Sequence, residues 1–299
     1  VRGDLMGMNM NFEQVTPTIV LDIRSKMQDF NPAQKAVANY ILNNFYDMEG
    51  MPIRDLAVES EVSEATVSRF VKAMGYENYR AFQLEVTKSK AERRKGSLKG
   101  YAEVTEEDNA PGICRKIFES NIQALQDTLT VIDYDALERA ADLIARARRL
   151  CIFAQGRSKV TANSIRLRLH RLGIEGTLYT DPHEQAIASS LMGPEDVAVG
   201  ISTFGRSRSI LVSIRRAAAR GSSIIGVTSY QNTPLEKEAD ILLRTVNNDE
   251  ADFGSEPSCA SVTQMVMLDC LYMLVAKRME GKAEERFKIT RDAIQQEKE

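Results

Sequence analysis

At 299 residues, 43% apolar and 27% charged, the chain is long enough for about two globular domains, and its composition argues against a disordered or fibrous protein. The net charge is −3, only two histidines are present, and four scattered cysteines (Cys114, Cys151, Cys259, Cys270) form no C-x-x-C; a disulfide framework or zinc site is not expected, nor any metal or cofactor. No apolar run approaches the ~20 residues of a membrane span, and VRGDLMGMNMNFEQ lacks a signal-peptide pattern, so the expectation is a cytoplasmic protein with no membrane partner.

Residues 1–87 read as an all-α domain. In FNPAQKAVANYILNNF, Asn31 is a predicted N-cap and Pro32 a first helical residue, and Ala36, Val37, Tyr40, Ile41 and Phe45 recur at helical spacing. A short helix starts near Pro52, a third after Ser63, and YENYRAFQLEVTKSK forms a fourth. The stretch IRDLAVESEVSEATVSRFVKAMG has the spacing of a helix-turn-helix. Leu56 and Ala57 face inward, Val62 fills the turn, Ser63 caps the next helix, and Val67, Phe70, Val71 and Met74 form one apolar stripe. The opposite face offers Ser63, Glu64, Thr66, Ser68, Arg69 and Lys72 as candidate DNA contacts, near the helix end that enters the major groove in this motif. Residues 63–99 hold nine Lys/Arg against four Asp/Glu, a local basic stretch on an acidic chain. The alternative is a plain αα-hairpin with a solvated basic face. Glu61 favours that alternative, because its turn position often holds Gly.

Residues 88–110 lose apolar periodicity and are expected to be a linker; 111–299 form the second domain. Helices at about 111–130 and 134–147 lead into the strand RLCIFA. There follow helix 158–172, strand GTLYT, helix 182–191, strand DVAVGIS, helix 207–220, strands SIIGVT and ILLRTV, and an apolar helix at about 258–279. This alternation predicts an α/β fold with a parallel sheet, whose strand-end loops share one edge.

Three of those loops, CIFAQGRSKVTA, ISTFGRSRS and VTSYQNTPL, put hydroxyls and Gly at helix starts, which suits a bound phosphate. Gly156, Ser158, Ser202, Thr203, Gly205 and Ser207 are the candidate ligands, with Arg157 and Arg206 nearby; turn chemistry alone is the competing explanation. His183 and Glu184 follow a strand at the same edge. His170, His183, Glu184 and Glu256 are the only plausible acid/base groups, and no pair has a spacing that demands catalysis, so no catalytic residue is assigned.

Together, VSEATVSRFVKAMGYENYRAF, FAQGRS, TDPHEQ and DVAVGISTFGRS resemble the RpiR/MurR-type bacterial transcriptional regulators over about residues 15–280. The resemblance implies an N-terminal helix-turn-helix joined to a SIS (sugar isomerase) domain, an αβα sandwich. It further implies a phosphosugar effector that modulates binding to a double-stranded operator, an inverted repeat, by a homodimer or homotetramer, commonly a repressor. It matches Ser158, Ser202 and Ser207 to phosphate-holding hydroxyls, Gly156 and Gly205 to turn glycines, and His183 and Gln185 to a D-x-H-x-Q stretch. Two positions depart from the pattern: Phe204 replaces a Ser or Thr, and Ala154 a Gly. The rival reading is a phosphosugar (aldose–ketose) isomerase with an added helical domain.

Overall fold

The computed structural model describes residues 16–48, 50–91, 104, 107–247 and 258–297. Two compact units meet in the chain at Asp127 and Thr128. The expected linker lies largely outside the described residues, as does Glu256.

The first unit is helical: α1 (Thr18–Lys26), α2 (Pro32–Asn43), α3 (Ile53–Glu59), α4 (Glu64–Ala73), α5 (Tyr79–Ala91) and most of α6 (Ala110–Val131). Helix α5 runs past the expected linker start at 88, because Lys88, Lys90 and Ala91 are good helix formers. Asn31 and Gln34 close a reciprocal capping box at the start of α2. Leu56, Val67, Phe70, Val71 and Phe82 are buried in one core, where Phe70 packs between Phe30 and Phe82 at ring separations of 5.1 and 6.1 Å.

The second unit holds α7 (Tyr134–Arg146), β1 (Arg149–Ala154), α8 (Ser158–Arg171), β2 (Gly176–Tyr179), α9 (Pro182–Ser190), β3 (Asp196–Ile201), α10 (Arg208–Ala219), β4 (Ser223–Thr228), α11 (Pro234–Glu238), β5 (Ile241–Arg244), α12 (Cys259–Arg278) and α13 (Lys282–Gln296). The five strands are all parallel, in the order β2-β1-β3-β4-β5. Both faces are covered, which is why β1 and β3 read as unbroken apolar runs. Leu150, Ile152, Val197, Val199, Ile225 and Val227 meet α7, α8 and α12. Cys151, Phe153 and Ala198 meet α9, α10 and α11. On that second face small residues admit close approach: a Cβ on Gly200 would lie 3.1 Å from Ile214, and one on Gly226 3.1 Å from Ala239.

The chain leaves β1 for α8 on one face and β3 for α10 on the other. Because β1 and β3 are neighbours, their exit loops diverge and open a crevice at the carboxyl ends of the strands, where ligands of open α/β sheets bind.

The opposite edge is pinned by charge. Buried Asp196 accepts hydrogen bonds from Arg148 (2.9 Å), Arg149 (2.8 Å) and the Gly193 N–H (2.9 Å). Burial pushes its carboxyl up, but the hydrogen bonds from Arg149, Gly193 and Arg148 outweigh this and hold it below the ordinary carboxylate value.

Helix α12 corrects the expectation that no segment reaches the length of a membrane span: its 20 residues are long and apolar enough by composition. It packs instead against α7 and α8, burying Met267, Leu268, Leu271 and Val275.

Candidate functional site

In the helical unit, the turn that follows α3 holds Glu61 at φ +54°. The Val62 N–H bonds the Ala57 carbonyl at 2.9 Å and the Glu61 N–H bonds the Val58 carbonyl at 3.0 Å, a Schellman closure that turns the chain sharply into α4. Ser63 caps α4, its Oγ accepting from the Thr66 N–H at 3.2 Å; the two hydroxyls also bond each other at 3.0 Å. Ser63 and Thr66 are thereby engaged in the cap. Glu64, Ser68, Arg69 and Lys72 stand exposed on the face away from Val67, Phe70 and Val71. The exposed face thus carries Glu64 in the first turn, at the positive dipole terminus, Arg69 in mid-helix and Lys72 in the last turn.

At the sheet edge, Ser202 and Ser207 bracket the β3–α10 turn. Their hydroxyls bond at 3.1 Å, and the Gly205 N–H bonds the Ser202 carbonyl at 2.9 Å. Ser207 is the N-cap residue of α10 but makes no capping bond, so its hydroxyl faces Ser202 rather than the helix. Gly205 has φ +62°, and a Cβ there would lie 2.5 Å from Thr233. The turn is stitched to the next strand: the Thr203 carbonyl accepts from the Ser229 N–H and the Thr228 hydroxyl, each at 2.9 Å.

Behind the turn lies a buried polar cluster. Ser229 Oγ and Thr245 Oγ1 are 2.8 Å apart. Gln264 Nε2, reaching up from α12, lies 3.2 Å from Thr203 Oγ1 and 3.3 Å from Ser229 Oγ. Phe204, the departure from the usual hydroxyl, stacks on buried Tyr230 at 5.0 Å, and Asn247 Nδ2 donates to the Tyr230 hydroxyl at 3.2 Å. The ring is thus folded back onto the β4 loop. Thr245 and Gln264 escaped the sequence reading; the available signal was a glutamine inside an otherwise apolar helix, a residue that is buried only with partners.

The β1 loop supplies Gly156 at φ +54° and Ser158, the first residue of α8, which is buried and makes no capping bond. Thr161 Oγ1, one turn further, is buried without a hydrogen-bond partner. No hydrogen bond among the described residues ties Ser158 to the Ser202–Ser207 pair. His183 sits exposed in the first turn of α9, its N–H held by Asp181 at 2.8 Å; Glu184 is exposed beside it. Gln185 is buried and donates to the Tyr179 carbonyl at 3.0 Å. His170 is exposed in the last turn of α8. The edge as a whole presents hydroxyls, backbone N–H groups and the N-termini of α8, α9, α10 and α11, with Arg157 and Arg206 in its loops and the carboxylates Asp181 and Glu184 beside His183; the hydroxyls and helix N-termini suit an anion.

A cavity of about 580 Å³ opens at the other end of the sheet. Its arginines are already engaged: Arg148 with Asp196, Arg278 with Glu138 and Asp142, Arg286 with the Leu172 carbonyl. It belongs to the charge network of that edge.

Comparison with known proteins covers both units. Residues 18–93 match the model described as a helix-turn-helix domain of the rpiR family, and residues 143–274 match the SIS domain. An "uncharacterized HTH-type transcriptional regulator" of Caldanaerobacter subterraneus subsp. tengcongensis is 30% identical over 256 residues, 86% of this chain and 89% of that protein. The "bifunctional protein glk" of Paraburkholderia xenovorans is also 30% identical, over 86% of this chain but only 39% of its own length. Among solved structures, the Vibrio vulnificus NanR protein complexed with ManNAc-6P superposes with a TM-score of 0.58 at 23% identity, covering 92% of this chain and 97% of that one.

Proposed function

This chain belongs to the rpiR family of helix-turn-helix proteins and carries a SIS domain, and from that premise we propose that it is a transcriptional regulator of sugar metabolism whose operator binding responds to a phosphosugar. The observation that carries the reading is the pairing, in one chain, of the exposed Ser68–Arg69–Lys72 face with the Ser202–Ser207 hydroxyl pair at the sheet crevice. The first reads DNA; the second senses. Arg69 pairs with guanine or phosphate, and Lys72 with phosphate. Ser158, Ser202, Thr203 and Ser207 donate to the effector phosphate, Gly156 and Gly205 letting the backbone come close. His183, exposed beside the same edge, contacts the sugar.

Exposed apolar residues on the packed helices α8 and α12 (Val160, Leu167, Val262, Val266, Met273) support a homodimer or homotetramer, and a regulator that binds DNA in a bacterial cell acts in the cytoplasm. A dimer presents two copies of α4 about 34 Å apart, or a multiple of that, and so favours an inverted-repeat operator.

The test is a gel-shift titration on the operator with and without sugar phosphates, ManNAc-6P first. Arg69→Ala is expected to weaken operator binding by roughly 10- to 100-fold with unchanged effector binding. Ser202→Ala with Ser207→Ala is expected to retain DNA binding and lose the effector response. Conversion of a bound sugar phosphate would instead favour the isomerase.

A further inference from the structure

We infer that Gln264 is a positioning residue of the effector site, which fixes the Thr203 hydroxyl as a hydrogen donor and thereby tunes the pocket for an anion. This rests on the proposal that the sheet edge binds a phosphorylated ligand.

A hydroxyl has one proton and two lone pairs, and a glutamine amide nitrogen has two protons. Gln264 Nε2 lies within hydrogen-bond reach of two hydroxyl oxygens, at Thr203 and Ser229, so both amide protons enter hydroxyl lone pairs. Thr203 therefore keeps its own proton for a third group. Ser229 and Thr245 share one hydroxyl proton in their 2.8 Å bond. Of three hydroxyl protons in the cluster, two remain to be donated.

Gln264 is buried, at 1% exposure, and in this orientation its amide nitrogen has both acceptors it needs. The Thr203 carbonyl is already held by Ser229 and Thr228, which fixes the backbone that carries the hydroxyl. Phosphate oxygens only accept hydrogen bonds when ionised, so a pocket whose hydroxyls are held as donors prefers them over a neutral hydroxyl group. Gln264 acts through Thr203, one step from the ligand. It also makes α12 part of the site, since this helix carries the amide that orients it.

The test measures binding of inorganic phosphate and of ManNAc-6P to the full chain by calorimetry. The variants are Gln264→Glu, Gln264→Met, Thr203→Val and the double variant Thr203→Val/Gln264→Glu. A carboxylate accepts where the amide donates, so Gln264→Glu takes back the hydroxyl protons and adds a negative charge; a loss of about tenfold or more is expected. Gln264→Met keeps the volume without the donor, and a smaller loss is expected. In the Thr203→Val background the Gln264→Glu loss should shrink markedly, a coupling that a purely structural role for Gln264 would not produce. Equal affinity of Gln264→Glu and the wild type, or strict additivity in the double variant, overturns the inference while leaving the effector site in place. Should Gln264→Glu fail to fold, wild-type affinity in Gln264→Met overturns it equally. A wild-type protein that binds neither probe removes the proposed function, and the inference with it.

Discussion

Gly205 is the residue at which the β3–α10 turn is most sharply specified. Its φ of +62° disfavours any side chain, and Thr233, fully buried, leaves no room for one. Thr233 is itself committed, since its hydroxyl accepts from the Glu236 N–H at 3.1 Å to cap α11. Gly205→Ala is therefore expected to cost roughly 2–4 kcal/mol, combining backbone strain with overpacking. Thermal unfolding would register it as a lowered Tm; an unchanged Tm would mean the turn has another accessible shape. Glu61 is the converse case, a left-handed position, φ +54°, filled by a residue with a Cβ. Glu61→Gly should stabilise the helical unit by about 0.5–1 kcal/mol, seen as a higher denaturant midpoint.

At the scale of elements, the chain advertised its regular parts well. RLCIFA and SIIGVT coincide with β1 and β4, because strands buried on both faces need continuous apolar runs. The α3–α4 turn was readable from Leu56, Val62 and Ser63, each tied to one local requirement of core, turn or cap. Helix α13 was not anticipated: KAEERFKITRDAIQQ buries only Ala283, so it gives no apolar stripe to detect. The site was half readable. Ser202, Gly205 and Ser207 follow from turn chemistry within six residues. Thr245 and Gln264 belong to it through contacts across 16 and 61 residues, which no local pattern encodes. Ser158 and His183 share the edge with the turn without any hydrogen bond to it, since adjacency of loops does not fix side-chain contact.

At the scale of the whole molecule, the second unit is closed by different chemistry at its two ends. Asp196 gathers two arginines and a backbone N–H at the amino ends of β1 and β3. Because its folded carboxyl lies below the ordinary value, its contribution to stability is full above about pH 4 and is lost as pH falls through the lowered value. Asp196→Asn should therefore be less stable than the wild type at neutral pH. The gap should narrow in acid, as measured by denaturant unfolding from pH 7 to pH 2. A gap independent of pH would assign the loss to packing.

The dispersal of the proposed effector site along the chain has a consequence for how the molecule comes into being. Helices α1 to α5 bury a core of their own from short-range contacts, the kind of structure that forms quickly. The hydroxyl cluster waits for Thr203, Ser229, Thr245 and, last, Gln264. At ordinary rates of synthesis, on the order of ten to thirty seconds separate the emergence of Ala91 from that of Gln264. A nascent chain thus acquires its helix-turn-helix well before the proposed effector site is complete.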